Sequence, residues 1–419
     1  MTCIECKKEF KFKSSIEYKC PECKGLLWFK ADINSIKENF PRIKIVNNIW
    51  DFEFAFPPIS SVFHITLGEG GTPCISSKKF GDKLGLKNLY FKDESQNPTN
   101  SFKDRCGALL ISHARSWDFN RFICASNGNQ GASIAAYTSL EGMKCLNVIP
   151  EKIDVGKKAQ MIAYNSDLNI IGETVDDAID YVLEQKDLAE YYQCTPELNP
   201  LTIEAEKTIA YEIVSQIGRP DLVIIPMGSG ELLVSLWKGF NELIDAGIIN
   251  NLPKLIGVQS QILSPIVNEF LECEDRHLSN KEINNSLALG ILVKKPLYKK
   301  MAIKCIKDSK GTVIAVPEEL ILISIDELIR NEGIFAEPAS ALAFGAIQIL
   351  QQKNIFKTHE KIVCLITASG LKAPYVLEAI SSQAKTTGKG SIIITKLKIL
   401  SQISLSSIKG ITGTEIKET

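Results

Sequence analysis

From about Ser60 to residue 380 the chain alternates short β-branched runs with longer segments whose apolar residues recur every three to four positions. The short runs are too apolar to keep a solvated face. They predict strands buried on both sides, and the longer segments predict the helices that cover them. The predicted strands are Leu89–Phe91, Phe122–Ala125, Cys145–Ile149, Leu168–Ile171, Leu222–Pro226, Leu255–Gln259, Thr312–Val316 and Ile362–Ile366, with helices over segments such as Thr174–Gln185 and Glu231–Ile244. Repeated strand–helix alternation predicts a parallel α/β sheet, and no repeat at solenoid periods is visible. Before Ser60 the chain is polar and broken by prolines, and the Phe52/Phe54/Phe56 alternation predicts a strand or sheet edge. From Ala384 the composition shifts through Thr386-Thr-Gly-Lys-Gly390 into an Ile/Leu/Ser/Lys segment, read as a linker and an appendage with a helix over Thr395–Ile403.

Composition narrows the class. With 48 Lys+Arg against 49 Asp+Glu in 419 residues, there is no electrostatic footprint for nucleic acid or an anionic membrane. No run of about 18 apolar residues offers a membrane span. Met1 to Lys13 carries Cys and Lys where a secretion signal needs an apolar stretch, so a cytoplasmic protein is expected. Eight of the 12 cysteines are scattered singly, which suits a reducing compartment.

The other four cysteines form two identical pairs, Cys3-x-x-Cys6 and Cys20-x-x-Cys23, separated by 13 residues. This spacing suits two knuckles folded over one tetrahedral Zn2+. Lys7, Lys8, Lys19 and Lys24 flank the pairs and favour thiolate. Four thiolates leave no open position, so the metal is expected to be structural. His64, His113, His277 and His359 stand in no metal spacing and read as surface or core residues. Cys106 reads as a small buried helix residue, with no His beside it.

The chemistry concentrates in polar loops. Lys92 to Arg105 ends in Lys103 at the start of an apolar helix, where the positive helix end eases loss of the lysine's charge. Such a lysine can form a Schiff base with an aldehyde cofactor. Alone, an Asn-Pro loop before a helix is punctuation; its company makes it chemistry. The loop Ser126-Asn127-Gly128-Asn129-Gln130-Gly131 follows a strand and can hold a carboxylate or a ring oxygen. Gly228-Ser229-Gly230-Glu231 opens another helix as an amide nest for a phosphate. Thr367 and Ser369 end the last strand with hydroxyls suited to a ring nitrogen.

Taken together, Glu69-Gly-Gly-Thr72-Pro73, Asn97 to Arg105, Ser126 to Asn129, the Gly228 loop, Glu332 to Ser340 and Thr367 to Lys372 resemble, in order, the threonine synthase family of fold-type II pyridoxal-phosphate enzymes. The resemblance spans about residues 60–380, and a four-cysteine ribbon also occurs in that family. It implies a zinc ribbon over 1–30, a connecting segment over 31–60, a tryptophan synthase β-like catalytic region over 61–380 with two α/β subdomains (the smaller about 105–195), and an appendage over 381–419. It implies that Lys103 carries pyridoxal 5'-phosphate and acts as base at Cα, that Asn129 meets the ring oxygen, and that Gly228, Ser229 and Gly230 bind the cofactor phosphate. Thr367 would face the ring nitrogen, and Ser126, Asn127 and Gln130 would meet a small amino-acid substrate. The implied activity is a carbon–oxygen lyase of amino-acid biosynthesis, making threonine and phosphate from O-phosphohomoserine and water, in a homodimer.

Three departures from the family pattern bear on the substrate, one of them Ser126-Asn127-Gly128-Asn129-Gln130, where Asn127 and Gln130 replace two hydroxyls of the family's Ser-Thr-Gly-Asn-Thr. Glu231 replaces a glycine of the phosphate loop, so its carboxylate must turn away or the loop must be remodelled. The segment Thr195 to Thr202 lacks the family's Asn-Ser pair and places Thr202 where an Arg would grip the substrate phosphate. The same lysine would equally serve β-elimination or β-replacement on serine or phosphoserine, as in dehydratases and cysteate synthase. A non-catalytic scaffold that binds a partner through its ribbon is the reading from another class.

Overall fold

The computed structural model describes residues 1–10, 19–185, 190–275, 278–380 and Ile399. His277 lies outside them, as does the predicted appendage from 381 to 419 with its helix over 395–403, Ile399 excepted. Twelve strands are present among the described residues: β1 (Thr2–Cys3), β2 (Leu27–Trp28), β3 (Cys74–Ser76), β4 (Leu89–Asp93), β5 (Arg121–Ala125), β6 (Lys144–Ile149), β7 (Asp167–Ile170), β8 (Tyr192–Gln193), β9 (Leu222–Pro226), β10 (Lys254–Ser260), β11 (Thr312–Val316) and β12 (Ile362–Ile366).

They form a six-stranded sheet in the order β11-β10-β9-β12-β4-β3, a four-stranded sheet in the order β7-β6-β5-β8, and the small β1-β2 pair. Every pairing in the two large sheets is parallel except β3 with β4. β9 and β12 are buried at every residue, which is why they appear in the sequence as continuous apolar runs. Their side chains alternate between two cores. Val223, Ile225 and Leu365 pack with Leu233 and Phe240 of the Glu231–Asp245 helix. Leu222, Ile224 and Cys364 pack with Leu342 and Phe344 of the Pro338–Gln352 helix.

The Phe52/Phe54/Phe56 strand is not formed. Ile49–Ala55 is a 3-10 helix, started by Asn48, whose side chain accepts from Trp50 N at 2.9 Å while the Asp51 side chain bonds back to the Asn48 backbone. This local cap defeats the two-residue alternation, and Phe52 turns into the core against Phe40 and Tyr211. The preceding ribbon docks on the large subdomain: Trp28 stacks on Trp237 with centroids 6.1 Å apart, and Phe29 N–H donates to Glu204 Oε1 at 3.2 Å.

A fully buried charge network braces the ground beneath the cleft. Arg105 binds Glu94 at 2.8 Å and Glu212 at 2.5 Å, and Lys92 Nζ meets Glu212 Oε2 at 2.6 Å. It ties β4 and the loop after it to the Asp104–Arg115 helix. Asp104 accepts from both the amide and the hydroxyl of Thr99 at 2.6 Å, which fixes the loop that leads to Lys103.

Candidate active site

At the N-terminus the four thiols of Cys3, Cys6, Cys20 and Cys23 lie within 4.8 Å of one another. The two knuckles repeat the same geometry. Lys7 and Lys24 each take a left-handed φ, 64° and 62°, and their amides return to Cys3 O and Cys20 O. Four convergent soft ligands with none left over fit a closed structural zinc site.

The chemistry lies in a cleft of about 740 Å3 of empty space at the carboxyl ends of strands from both large sheets, the crevice where open α/β sheets gather ligands. Lys103 caps the Asp104–Arg115 helix, and its side chain is 11% exposed. Its ammonium is held by two carboxylates, Glu206 Oε1 at 2.6 Å and Glu231 Oε2 at 3.0 Å. Burial pulls the lysine's pKa down, but the charges of Glu206 and then Glu231 outweigh it and hold the group well above its ordinary value. The expectation that Lys103 sheds its proton easily is thus corrected: the helix end is overridden by two carboxylates within contact distance.

Glu231 does not turn away. It begins the Glu231–Asp245 helix, lines the cleft and reaches Lys103, while Gly230 takes up the turn at φ 89°. A Cβ on Gly230 would come within 2.9 Å of the Ala302 Cβ, so only glycine fits there. Gly228 and Ser229 complete the loop along the cleft wall.

On the facing sheet, the loop after β5 brings Ser126, Asn127, Asn129 and Gln130 to the same cleft. Ser126 Oγ accepts from the amides of Gly128 and Gly131, and Asn127 Nδ2 donates to Leu289 O at 3.1 Å. Gln130 Nε2 donates to Cys194 O, and Asn129 Nδ2 to Glu337, itself paired with Lys157. Asn129 Oδ1 and Gln130 Oε1 are buried without partners. Thr367, at the end of β12, lines the cleft and shares a 2.7 Å hydrogen bond with Ser340. Lys103, Ser126, Asn127, Asn129, Gln130, Gly228, Ser229, Gly230 and Thr367 therefore line one cavity, whereas Ser369 does not: its hydroxyl caps the Gly370–Lys372 turn by accepting from the Leu371 amide. Thr202 does not: it is fully buried in the Leu201–Glu206 helix, its hydroxyl unpartnered.

Two carboxylates escaped the sequence reading as parts of this site. Glu206 sits 103 residues from Lys103 in the chain. Its neighbours Glu204 and Lys207 are charged as well, so nothing in the run Ile203 to Lys207 singled it out. Glu197 lines the cleft with Oε2 unpartnered. Cys106 lies behind the lysine, its thiol 3.5 Å from Glu206 Oε1 and raised well above its ordinary pKa by burial, which makes it a poor nucleophile. His113 is a core histidine, its Nδ1 2.9 Å from Tyr192 Oη.

A pyridoxal phosphate fits the chemistry of these residues: a buried lysine in the cleft, a glycine-rich helix start on one side, an amide with an orphaned oxygen on the other and a neutral hydroxyl at the end of β12. Glu231 is the one member that sits awkwardly beside a phosphate. Fold and cleft thus define a two-subdomain α/β enzyme whose cleft, among the described residues, is lined by one lysine, Lys103.

Residues 65–368 match the family model described as "Pyridoxal-phosphate dependent enzyme", and the chain belongs to that family as a threonine synthase-like member. It is 35% identical over 378 residues to a threonine synthase of Methanocaldococcus jannaschii, covering 89% of this chain and 92% of the relative. A threonine synthase of Methanosarcina acetivorans is 32% identical over the same shares. Among solved structures, the fold is shared with maize serine racemase (TM-score 0.62, 18% identity, 85% of this chain and 99% of that one). It is also shared with threonine deaminase isoform 2 of Solanum lycopersicum (TM-score 0.60, 22% identity, 75% and 88%). No helix among the described residues is long and apolar enough to cross a membrane.

Proposed function

We propose that this protein is a lyase of threonine synthase type acting on a small amino acid, with Lys103 as the residue that binds the cofactor and moves the proton at Cα. Pyridoxal phosphate, when bound, supplies the electron sink that makes the Cα proton acidic. Gly228, Ser229 and Gly230 hold the phosphate on the first turn of a 15-residue helix, where amides and dipole favour an anion. Asn129 orients the ring through its side-chain amide. Thr367, a neutral hydroxyl, leaves the ring nitrogen without a carboxylate partner, so reactivity is governed by placement. Ser126, Asn127 and Gln130 take the substrate's α-carboxylate. Phe102, Val175, Met227, Ile291 and Val293 line the same cleft and exclude water from the reacting carbon.

The observation that carries this reading is the convergence of these loops on the one lysine that lines the cleft among the described residues. O-phosphohomoserine, giving threonine and phosphate, is the substrate that follows from the relatives. A second reading, elimination or replacement on a different amino acid, is favoured by Glu197 in the cleft wall and by Thr202, which is buried away from it. The test is to load the protein with cofactor, add O-phosphohomoserine and follow phosphate and threonine together, with Lys103→Ala as control. Threonine in step with phosphate supports the first reading. Cofactor uptake with neither product supports the second, and no uptake at saturating pyridoxal phosphate refutes both. The ribbon's Zn2+ belongs to the same proposal and is read by metal analysis of the purified protein.

A further inference from the structure

Behind Asn129 stands a buried charge assembly. Both oxygens of Glu337 lie within reach of the Asn129 amide nitrogen, at 3.1 and 3.3 Å. Glu337 Oε2 meets Lys157 Nζ at 3.1 Å, and Asp154 Oδ2 meets the same ammonium at 2.7 Å. Tyr375 Oη donates to Asp154 Oδ1 at 3.0 Å and closes the chain. The side chains of Glu337 and Asp154 are 3% exposed and that of Lys157 1%. Burial pulls the pKa of Lys157 down, but the charges of Asp154 and Glu337 outweigh it and hold the group above its ordinary value.

The fold makes room for this assembly at two glycines. A Cβ on Gly128, the residue before Asn129, would come within 2.4 Å of Lys157 Cδ, and one on Gly290 within 3.0 Å of Lys157 Nζ. The contact also crosses between the subdomains. Asn129 and Lys157 belong to the helices that follow β5 and β6 of the four-stranded sheet, whereas Glu337 opens the Pro338–Gln352 helix, which packs on the six-stranded one. The amide of Glu337 donates to Ala368 O at 3.0 Å, which pins it beside Thr367.

A side-chain amide has a donor end and an acceptor end, and its two orientations fill the same space. A carboxylate only accepts, so Glu337 selects the nitrogen end of Asn129. Lys157 only donates, so it favours Glu337 as an ionised acceptor. We infer that Glu337, paired with Lys157, is a positioning residue that fixes the Asn129 amide with its nitrogen available to the cofactor's ring oxygen. It acts through Asn129, and the inference rests on the proposed function, in which Asn129 orients the ring.

The experiment titrates pyridoxal phosphate into the full-length protein and follows both its affinity and the spectrum of the bound cofactor. A ring oxygen that receives a donor stays ionised and absorbs in the visible, whereas one that meets an acceptor keeps a proton and absorbs in the near ultraviolet. In Glu337→Gln, Lys157 claims the oxygen of the new amide, which leaves an NH2 group against Asn129 and turns that amide over. Affinity should fall about tenfold or more, with absorbance moving from the visible to the near ultraviolet. In an Asn129→Ala background the same substitution should change affinity by less than about twofold, because the residue it acts through is gone. Removing the lysine frees the new amide to turn its oxygen to Asn129, so Lys157→Met/Glu337→Gln should return to within about threefold of wild type, while Lys157→Met/Glu337→Leu stays about tenfold weak. Wild-type affinity in Glu337→Gln overturns the inference, as does an equal loss in the absence of Asn129. Where Glu337→Gln does not fold, the two double variants decide, since each replaces the buried ion pair as a unit; equal affinities in the two overturn the inference. No uptake by the wild type refutes the proposed function beneath it, whereas uptake that is insensitive to residue 337 removes this inference alone.

Discussion

Replacing Glu206 with Gln should make Lys103 a faster acceptor of cofactor. Attack on the cofactor's aldehyde needs a neutral amine, and Glu206 holds the Lys103 proton from 2.6 Å with no solvent exposure of its own. At that distance and an effective dielectric of ~20, the gross attraction is about 6 kcal/mol. Most of it is offset by the desolvation that burial imposes on both groups, and a surviving third, about 2 kcal/mol, corresponds to a shift of one to two pH units in the lysine's titration. Gln keeps the volume and can still meet Ser235 Oγ, which now lies 3.2 Å from Glu206 Oε2. The assay is stopped-flow mixing with pyridoxal phosphate, read by the visible band of lysine-bound cofactor, across pH 6 to 10. In Glu206→Gln the initial rate at pH 7.5 should rise about 30-fold, and the pH profile should move to lower pH by one to two units. An unchanged profile would show that the Lys103 proton is not held by this carboxylate and would refute the reasoning.

Other outcomes follow from features away from the lysine. Arg105→Met leaves Glu94 and Glu212 buried without their guanidinium and should cost about 3–5 kcal/mol of stability, read by urea unfolding. Glu69, pushed up to about 7 by burial against the pull of its hydrogen bond from Tyr137, binds a proton more tightly folded than unfolded. Its contribution is therefore full at acid pH and is lost as pH rises from about 4.5 to 7, so wild type should lose up to ~3 kcal/mol relative to Glu69→Gln across that window in paired melts. Chelating the Zn2+ proposed for the four-cysteine cluster should loosen the Trp28–Trp237 stack, lowering the melting temperature and shifting tryptophan emission to the red; Cys20→Ser should behave as the chelated protein does.

The strands most legible in the sequence were those buried on both faces. Leu222–Pro226, Thr312–Val316 and Ile362–Ile366 run in the fold from the residues at which their apolar runs begin and end, because a run with no polar face has few other places to go. β3 and β8 were illegible: with three and two residues they are too short for a period to show. Phe52, Phe54 and Phe56 misled because a capping side chain four residues before Phe52 outweighed their alternation. In the cleft, the loops carrying Lys103, Ser126, Gly228 and Thr367 could be read because each sits at a strand-to-helix junction. The carboxylate partners of the lysine could not, since Glu206 approaches it from a helix whose neighbours in sequence carry no chemical signature.

The Leu201–Glu206 helix has a consequence for anyone cutting this protein into pieces. Glu204 accepts a hydrogen bond from the ribbon's edge at Phe29 and holds Lys207 and Lys238, and two residues later Glu206 grips Lys103. Lys207 in turn donates to Ala55 O in the connecting segment. The first 60 residues are thus not a handle that expression designs can discard. A shortened chain beginning at the catalytic region would bare Trp237 and strip Glu204 and Lys207 of their outer partners, one helical turn from the reactive amine. Modularity suggested by cysteine spacing ends where the ribbon becomes part of the wall that sets the lysine's charge.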